Sequence, residues 1–321
     1  MTQPASPAGG GARSVRVPDE RAGQRLDNFL LGQLKGAPRS LVYKLVRSGQ
    51  VRVNGGRAKA ERRLEAGDEV RIPPVRIESP QDGDRSPPKG LLAALESAVV
   101  FEDARLLAIN KPSGIASHGG SGISFGVIEA LRALRPRDSL ELVHRLDRDT
   151  SGLMVLAKKR SALTELQRLL REDHGSGIEK RYLALLVGRM PDGTMRVDAP
   201  LHVGLRQGGE RHVQVNPAGK PSMSHFRVLE RRGGQSYCEV RIETGRTHQI
   251  RVHARHIGHP VAGDDKYGDA DANRRLREQA GLKRLFLHAS TLEFALDGGQ
   301  TPYSLNAPLM PELLEVLDRL R

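Results

Sequence analysis

Residues 141–159 read ELVHRLDRDTSGLMVLAKK, acids and bases packed tightly between apolar runs. A strand through Val143 is expected to enter a charged corner, with an apolar strand following a turn at Ser151-Gly152. Alternate residues of an extended segment face the same way, so Arg145 and Asp147 share a side. A carboxylate beside guanidiniums is held as the anion, which suits a nucleophile or general base better than a general acid. Two other chemistries fit the residue types but not the spacing. Asp147, Asp149, Ser151 and Gly152 copy the first half of a calcium loop, yet the twelfth position, where a bidentate Glu belongs, is Lys158. Carboxylates two residues apart do not flank a sugar from opposite sides, so Asp149 reads as a turn or capping residue rather than half of a glycosidase pair. A charged turn with a purely structural role remains the alternative for the whole segment.

A second constellation is ETGRTHQIRVHARHIGHPVAGDDKYGD, residues 243–269. Thr247 suits a helix N-cap, Ile250, Ala254 and Ile257 form an apolar stripe, and Gly258 is a stop. His248, Arg251 and Arg255 then fall on another face, with Arg246 at the helix entrance as a fixed cation. The histidines at 248, 253, 256 and 259 suggest a metal, but only His253 and His256 are i,i+3 neighbours and no HExxH is present, so no metal is expected. The glycine-rich NKPSGIASHGGSG (110–122) lacks both the GK[ST] ending of a phosphate loop and the GxGxxG of a dinucleotide fold, so no nucleotide cofactor is expected either. Tyr182, alternating with Lys180 and Ala184 on one strand face, is either a base-stacking platform or a core tyrosine with a satisfied hydroxyl.

The elements around these residues divide the 321-residue chain. Residues 1–14 form a Pro/Gly/Ala/Ser tail expected to be disordered. Residues 15–75 make a small basic unit with helices at RLDNFLLGQL and SLVYKLVRSG and strands at VRVN and DEVRIP. Within residues 39–63 lie eight bases against the single acid Glu61. Arg39, Lys44 and Arg47 can share one helix face, with Arg52 on the following strand, a field that attracts phosphates. Residues 76–94 are Pro-rich and aperiodic, a linker. In residues 95–321 several strands follow one another without crossover helices, which predicts an α+β domain with a mixed, mainly antiparallel sheet. The formal charge of +13 favours a polyanionic partner. A single cysteine, Cys238, excludes an internal disulfide framework. The absence of both an apolar run of about 18 residues and an N-terminal apolar h-region leads to the expectation of a cytoplasmic protein without membrane association.

HRLDRDTSG (144–152), KRYLALLVG (180–188), GRTHQIRVH (245–253), GHPVAGDDKYG (258–268) and RLFLHA (284–289) occur in the order seen in the RluA-type pseudouridine synthases, which the chain resembles. NKPSGIASHGG resembles the opening motif of that family, and RLDNFL, VRVNG and LEAGDEV resemble an S4 RNA-binding domain. The resemblance implies a pseudouridine synthase fold behind an S4 domain, and conversion of uridines to pseudouridine in large-subunit ribosomal RNA by a monomer without cofactor or metal. It implies that Asp147 is the essential catalytic residue, acting at C1′ or on the C2′ proton of the ribose. It further implies that Tyr182 packs on the target base and helps remove the C5 proton, that Arg246 pairs with the catalytic carboxylate, and that Arg145 fills the stack vacated by the flipped uridine. An RNA glycosidase and a non-catalytic ribosome-assembly factor are the rival readings.

Overall fold

A computed structural model describes residues 12–34, 37, 39–75, 86–120, 124–171, 177–205, 211–297 and 302–320. The chain divides into two compact units, residues 1–85 and 86–321. The first unit runs β1 (Arg13–Arg16), α1 (Leu26–Gln33), α2 (Arg39–Arg47), β2 (Arg52–Val53) and β3 (Glu69–Ile72). Its antiparallel sheet has the order β1-β3-β2. Leu26, Phe29 and Leu30 of α1 and Val42, Leu45 and Val46 of α2 recur at helical spacing and are buried in one core with Val51, Val53, Val70 and Ile72. Buried Asp27 ties the helices together, accepting hydrogen bonds from Arg25 (2.6 Å) and the Tyr43 hydroxyl (3.0 Å). The tail expected over 1–14 ends earlier than its composition suggests: Arg13 and Ser14 pair with Ile72 and Arg71. Residues 1–11 lie outside the described residues.

The second unit opens with α3 (Lys89–Glu96), β4 (Val99–Glu102), β5 (Leu106–Lys111), α4 (Val127–Leu134), β6 (Glu141–Leu142) and β7 (Ser151–Ala157). It continues with α5 (Arg160–Arg171), β8 (Ile178–Leu186), β9 (Thr194–Asp198), β10 (Leu201–Leu205), β11 (Arg211–Val215), β12 (Met223–Arg232) and β13 (Gln235–Ile242). Then follow α6 (Gln249–His256), α7 (Ala270–Ala280), β14 (Leu287–Phe294), β15 (Tyr303–Asn306) and α8 (Pro311–Arg319). The expected linker to residue 94 is overturned at its end by α3. Leu95 is wholly buried and Leu91 and Leu92 pack on the same core, an apolar face too short to register as periodic behind Pro87 and Pro88. Residues 76–85 lie outside the described residues.

The main sheet runs β4-β5-β7-β14-β8-β13-β12-β9, with β6 on β7 and β15 on β14, and β10 and β11 form a separate pair. All its pairings are antiparallel except β7–β14, so the sheet is mixed and mainly antiparallel, as the succession of strands requires. Every residue of β7 is buried, as befits a strand covered on both faces. Ser151 and Gly152, expected as a turn, instead begin β7 at its parallel seam, opposite His288 and Ala289. There the Ser151 hydroxyl receives Arg284 Nη2 (3.1 Å) and faces His288 Nδ1 (3.0 Å), while His288 Nε2 donates to the Ala307 carbonyl (3.2 Å). Burial lowers the His288 pKa to about 4, so the ring is neutral and the contact is a structural brace at the seam.

Gly152 has φ +109°, and a Cβ there would drive into the backbone of Ala289. Gly152→Ala is therefore expected to cost at least about 2 kcal/mol, read as a lower midpoint in urea unfolding. Gly90→Ala, in α3 with open space around it, should leave the midpoint equal or higher. Equal midpoints for wild type and Gly152→Ala would show that the seam tolerates a side chain.

Candidate active site

Asp147 sits in the loop between β6 and β7, where the Thr150 N–H donates to its carbonyl (3.2 Å) and closes a tight turn. The turn is moulded by the glycine-rich segment following β5. Ser117 Oγ donates to the Leu146 carbonyl (2.8 Å), the Gly114 N–H to Arg148 O (2.9 Å) and Ser113 Oγ to Asp149 O (2.7 Å). Lys111 completes the mould from the interior. Its fully buried ammonium donates to the carbonyls of Pro112, Ile115 and Arg148 at 2.8, 2.9 and 3.0 Å. Burial lowers its pKa to about 7, against the opposing pull of Asp149 and Asp147. NKPSGIAS thus clasps the Asp147 loop, a role its residue types alone signal only by a lysine at the end of an apolar strand.

The other wall comes from α6 and the GDDKYG loop. Arg251, nearly buried, makes a two-pronged pair with wholly buried Asp264 (Nε–Oδ2 2.7 Å, Nη2–Oδ1 2.8 Å) and lies 5.1 Å from the centre of the Tyr267 ring. Its remaining nitrogen, Nη1, stands 3.4 Å from Asp147 Oδ2. Burial works to lower the Arg251 pKa, but the bonds and charge of Asp264, with Asp147 adding to them, carry it above the ordinary value. His248 Nε2 is 3.9 Å from the same Asp147 oxygen, while its Nδ1 meets the Tyr267 hydroxyl at 2.8 Å. Arg255 Nη1 donates to Tyr267 O (3.3 Å). The face of His248, Arg251 and Arg255 drawn from helical spacing therefore grips one loop.

Two expectations at this helix are corrected. Thr247 is not the N-cap, because α6 begins at Gln249 after a left-handed His248 (φ +54°). The Gln249 side chain takes over the capping, its Oε1 accepting from the Arg246 N–H (3.0 Å) and Thr244 Oγ1 (2.8 Å). The guanidinium that reaches Asp147 belongs to Arg251, one helical turn further in. Arg246 lies at the helix entrance with its Nε on the Pro221 carbonyl (3.1 Å). The guanidiniums adjacent to Asp147 in sequence also turn elsewhere: Arg148 pairs with Asp149 (3.0 Å), and Arg145 Nη1 contacts His118 Nε2 (3.4 Å).

Asp147, Tyr182, Arg246 and Arg145 nevertheless line one cavity of about 650 Å³. Six cationic side chains face it (Arg145, Arg148, Lys180, Arg181, Arg246 and Lys266), and Asp147 is the one carboxylate among its described lining residues. Tyr182 packs at the edge of two apolar clusters, and among the described residues its hydroxyl has no hydrogen-bond partner, unlike that of a satisfied core tyrosine. Burial, followed by the charge of Asp147, pushes the phenol above its ordinary range. The four histidines have separate tasks: His248 holds Tyr267, His253 is buried between Ser224 Oγ (2.9 Å) and Ala199 O (2.9 Å), His259 meets Val187 O (2.9 Å), and His256 is exposed.

In the N-terminal unit, Lys44 and Arg47 are exposed on α2 and line a shallow depression with Tyr43 and Ser48. Arg39 opens α2, and its side chain lies outside the described residues. Arg52 is half-buried with Nη1 on Gly55 O (3.3 Å). Of the remaining bases, Arg62 pairs with Asp68 (3.5 Å) and Arg63 Nη1 donates to Gly23 O (2.9 Å), so part of the basic run is spent on the fold.

The Asp264 carboxyl is held below the usual Asp range. Burial would raise it, but the bonds from Arg251 and from the Tyr267 and Lys266 N–H groups outweigh that. The unfolded chain, with Asp near pKa 3.9, then binds more protons than the native one. The stabilisation is present at neutral pH and is lost as pH falls through the folded value. Asp264→Asn should cost about 3–5 kcal/mol at pH 7 and flatten the acid side of the stability–pH curve measured by urea unfolding. The same acid slope in both proteins would assign that slope to other carboxylates.

Residues 105–256 match the RNA pseudouridylate synthase family and residues 24–70 the S4 domain. The chain is 51% identical over 309 residues to ribosomal large subunit pseudouridine synthase C of Escherichia coli (strain K12), covering 96% of each chain. The protein of the same name from Haemophilus influenzae is 48% identical over 310 residues, covering 96% of this chain and 95% of that one. Among solved structures, human RNA Pseudouridylate Synthase Domain Containing 4 superimposes with a TM-score of 0.58 at 27% identity, over 72% of this chain and 95% of that one. Human RNA Pseudouridylate Synthase Domain Containing 1 does so with a TM-score of 0.55 at 26% identity, over 67% and 85%. With ordered motifs, fold and near-full-length identity in agreement, the chain belongs to the RNA pseudouridylate synthase family.

Proposed function

We propose that this protein isomerises specific uridines to pseudouridine in large-subunit ribosomal RNA, with Asp147 as its catalytic residue. The observation that carries the reading is one carboxylate, oriented by a buried guanidinium, at the wall of a cavity otherwise faced by cations and a tyrosine ring. Six cations suit the phosphates of an RNA strand, and a half-open cavity of about 650 Å³ suits a nucleotide turned out of its stack. Asp147 then acts on the ribose of that nucleotide: the N1–C1′ bond breaks, the uracil turns, C5 bonds to C1′, and the C5 proton leaves as N1 gains one. Atoms and electrons balance within the nucleotide, so no step calls for an oxidant or a reductant.

Tyr182 serves as the surface on which the base lies. Its raised pKa keeps the phenol neutral, which favours stacking and hydrogen-bond donation over service as a phenolate base. Arg251 orients Asp147, the part the family resemblance implied for Arg246, and Arg246 is a cation of the cavity wall. Exposed Arg145 is the side chain that enters the stack left by the flipped uridine. Arg39, Lys44, Arg47 and Arg52 of the S4 domain hold phosphates away from the reaction. Asp147, Tyr182 and Arg251 come from a single chain, which supports a working monomer, and a ribosomal RNA substrate supports a cytoplasmic site of action.

The first test is tritium release from unmodified large-subunit rRNA labelled at uracil C5, with purified protein and no added cofactor. Wild type is expected to release tritium, and Asp147→Ala to release none while binding RNA within about threefold, because phosphate contacts dominate affinity. Tight binding without release by wild type would favour an assembly factor, and abasic product a glycosidase. A double Lys44→Ala/Arg47→Ala variant should reduce the slope of log affinity against log salt by about 1–2. An unchanged slope would remove these residues from the phosphate contacts.

A further inference from the structure

Of the six cations that line the cavity, Lys180 alone is buried. The residue is 7% exposed, on β8 two residues from Tyr182 and on the same face of that strand. Burying an ammonium is costly unless it is paired. Among the described residues its Nζ donates to the Glu243 carbonyl at 3.2 Å. The Glu243 carboxylate pulls the lysine's pKa upward, but its close partners are His225 (2.7 Å) and Arg241 (3.4 Å). Beside Lys180 lies the Arg246 guanidinium, close enough to push the lysine's pKa down further after burial has done most of the work, to about 8. The nearby His144 ring is neutral: burial lowers it to about 4, and Nε2 accepts the Val155 N–H (3.1 Å). At Lys180 the cavity is thus positive, and among the described residues the anion acting on the lysine is a Glu243 carboxylate already shared with His225 and Arg241.

Spacing indicates what further anion fits there. Two residues along a strand span about 6.8 Å, comparable to the distance from a nucleobase across its ribose to the neighbouring phosphate. A nucleotide whose base lies on Tyr182 brings a phosphate to Lys180. A compact ammonium acts there as a point charge.

Resting on the function proposed above, we infer that Lys180, with Arg246 beside it, is the binding subsite for a phosphate flanking the flipped uridine, so that the enzyme grips the target nucleotide at its base and at its own backbone. Lys180 then contributes mainly to substrate binding, and an RNA whose flanking phosphate is neutral forfeits the contact.

The experiment pairs wild type, Lys180→Met and Lys180→Arg with stem-loop RNAs containing a uridine that wild type converts, located by carbodiimide-primer extension on the treated rRNA. One RNA is unmodified, and two carry a single uncharged methylphosphonate 5′ or 3′ of that uridine. Lys180→Met is expected to raise KM about tenfold with kcat within about twofold, and Lys180→Arg to recover most of the loss. For wild type, one of the two methylphosphonates should raise KM by a similar factor, and Lys180→Met should show no further loss on that RNA. Losses that multiply on both modified RNAs, or an unchanged KM for Lys180→Met on unmodified RNA, overturn the subsite. The wild-type measurements keep the test valid even if the methionine variant misfolds. Failure of wild type to convert the unmodified RNA would overturn the underlying function, a result separable from loss of the subsite alone.

Discussion

The orientation of the Asp147 carboxylate depends on a guanidinium with little freedom to move. Arg251 is clamped by the two oxygens of Asp264 and by the ring of Tyr267, leaving one nitrogen directed at Asp147. The planar fork of arginine suits this task, because two of its edges can be occupied while a third still donates. Asp264 is in turn fixed by the Lys266 and Tyr267 N–H groups in a loop whose glycines permit close approach: a Cβ at Gly263 or Gly268 would meet backbone atoms of Arg284 or Asp264. The helix carrying Arg251 is pinned on its buried side, where Gln249 Nε2 donates to Met223 O (2.8 Å) and His253 Nδ1 meets Ser224 Oγ (2.9 Å). Asp147 thus rests on supports drawn from widely separated parts of the sequence.

The opposite side of Asp147 is held by backbone rather than charge. The segment after β5 takes the carbonyls of Leu146, Arg148 and Asp149 as acceptors, and the buried Lys111 ammonium joins the two loops. Directly behind them the sheet changes from antiparallel to parallel pairing at Ser151 and Gly152. The Asp147 loop leads straight into β7, every residue of which is buried, so it is anchored on a rigid element.

Charge is divided between two tasks. At the cavity, cations outnumber carboxylates and stand ready for a polyanion. Elsewhere bases that look equally free in the sequence are consumed by the fold, as Arg62 is by Asp68 and Arg251 by Asp264. A formal +13 therefore indicates the kind of partner without indicating which bases will touch it.

The sequence by itself determined the mixed, mainly antiparallel α+β sheet, the helices of the basic N-terminal unit, and the local chemistry around Asp147 and Tyr182. These follow from periodicity and from motifs confined to a few consecutive residues. Helical spacing also placed His248, Arg251 and Arg255 on one face, though not what that face would grip. Only the tertiary structure decided that Arg251 rather than Arg246 meets Asp147, since the pairing spans 104 residues and depends on a helix that starts one residue later than its Thr247 signal suggests. It likewise decided that Lys111 and Asp264 are buried braces and that Lys180 lies deep in the cavity while Arg145 stays at its rim. A lysine or an aspartate looks the same in a sequence whether it ends in solvent or in the interior. What separates the two is the set of carbonyls and opposite charges gathered around it, and only the folded chain brings those together.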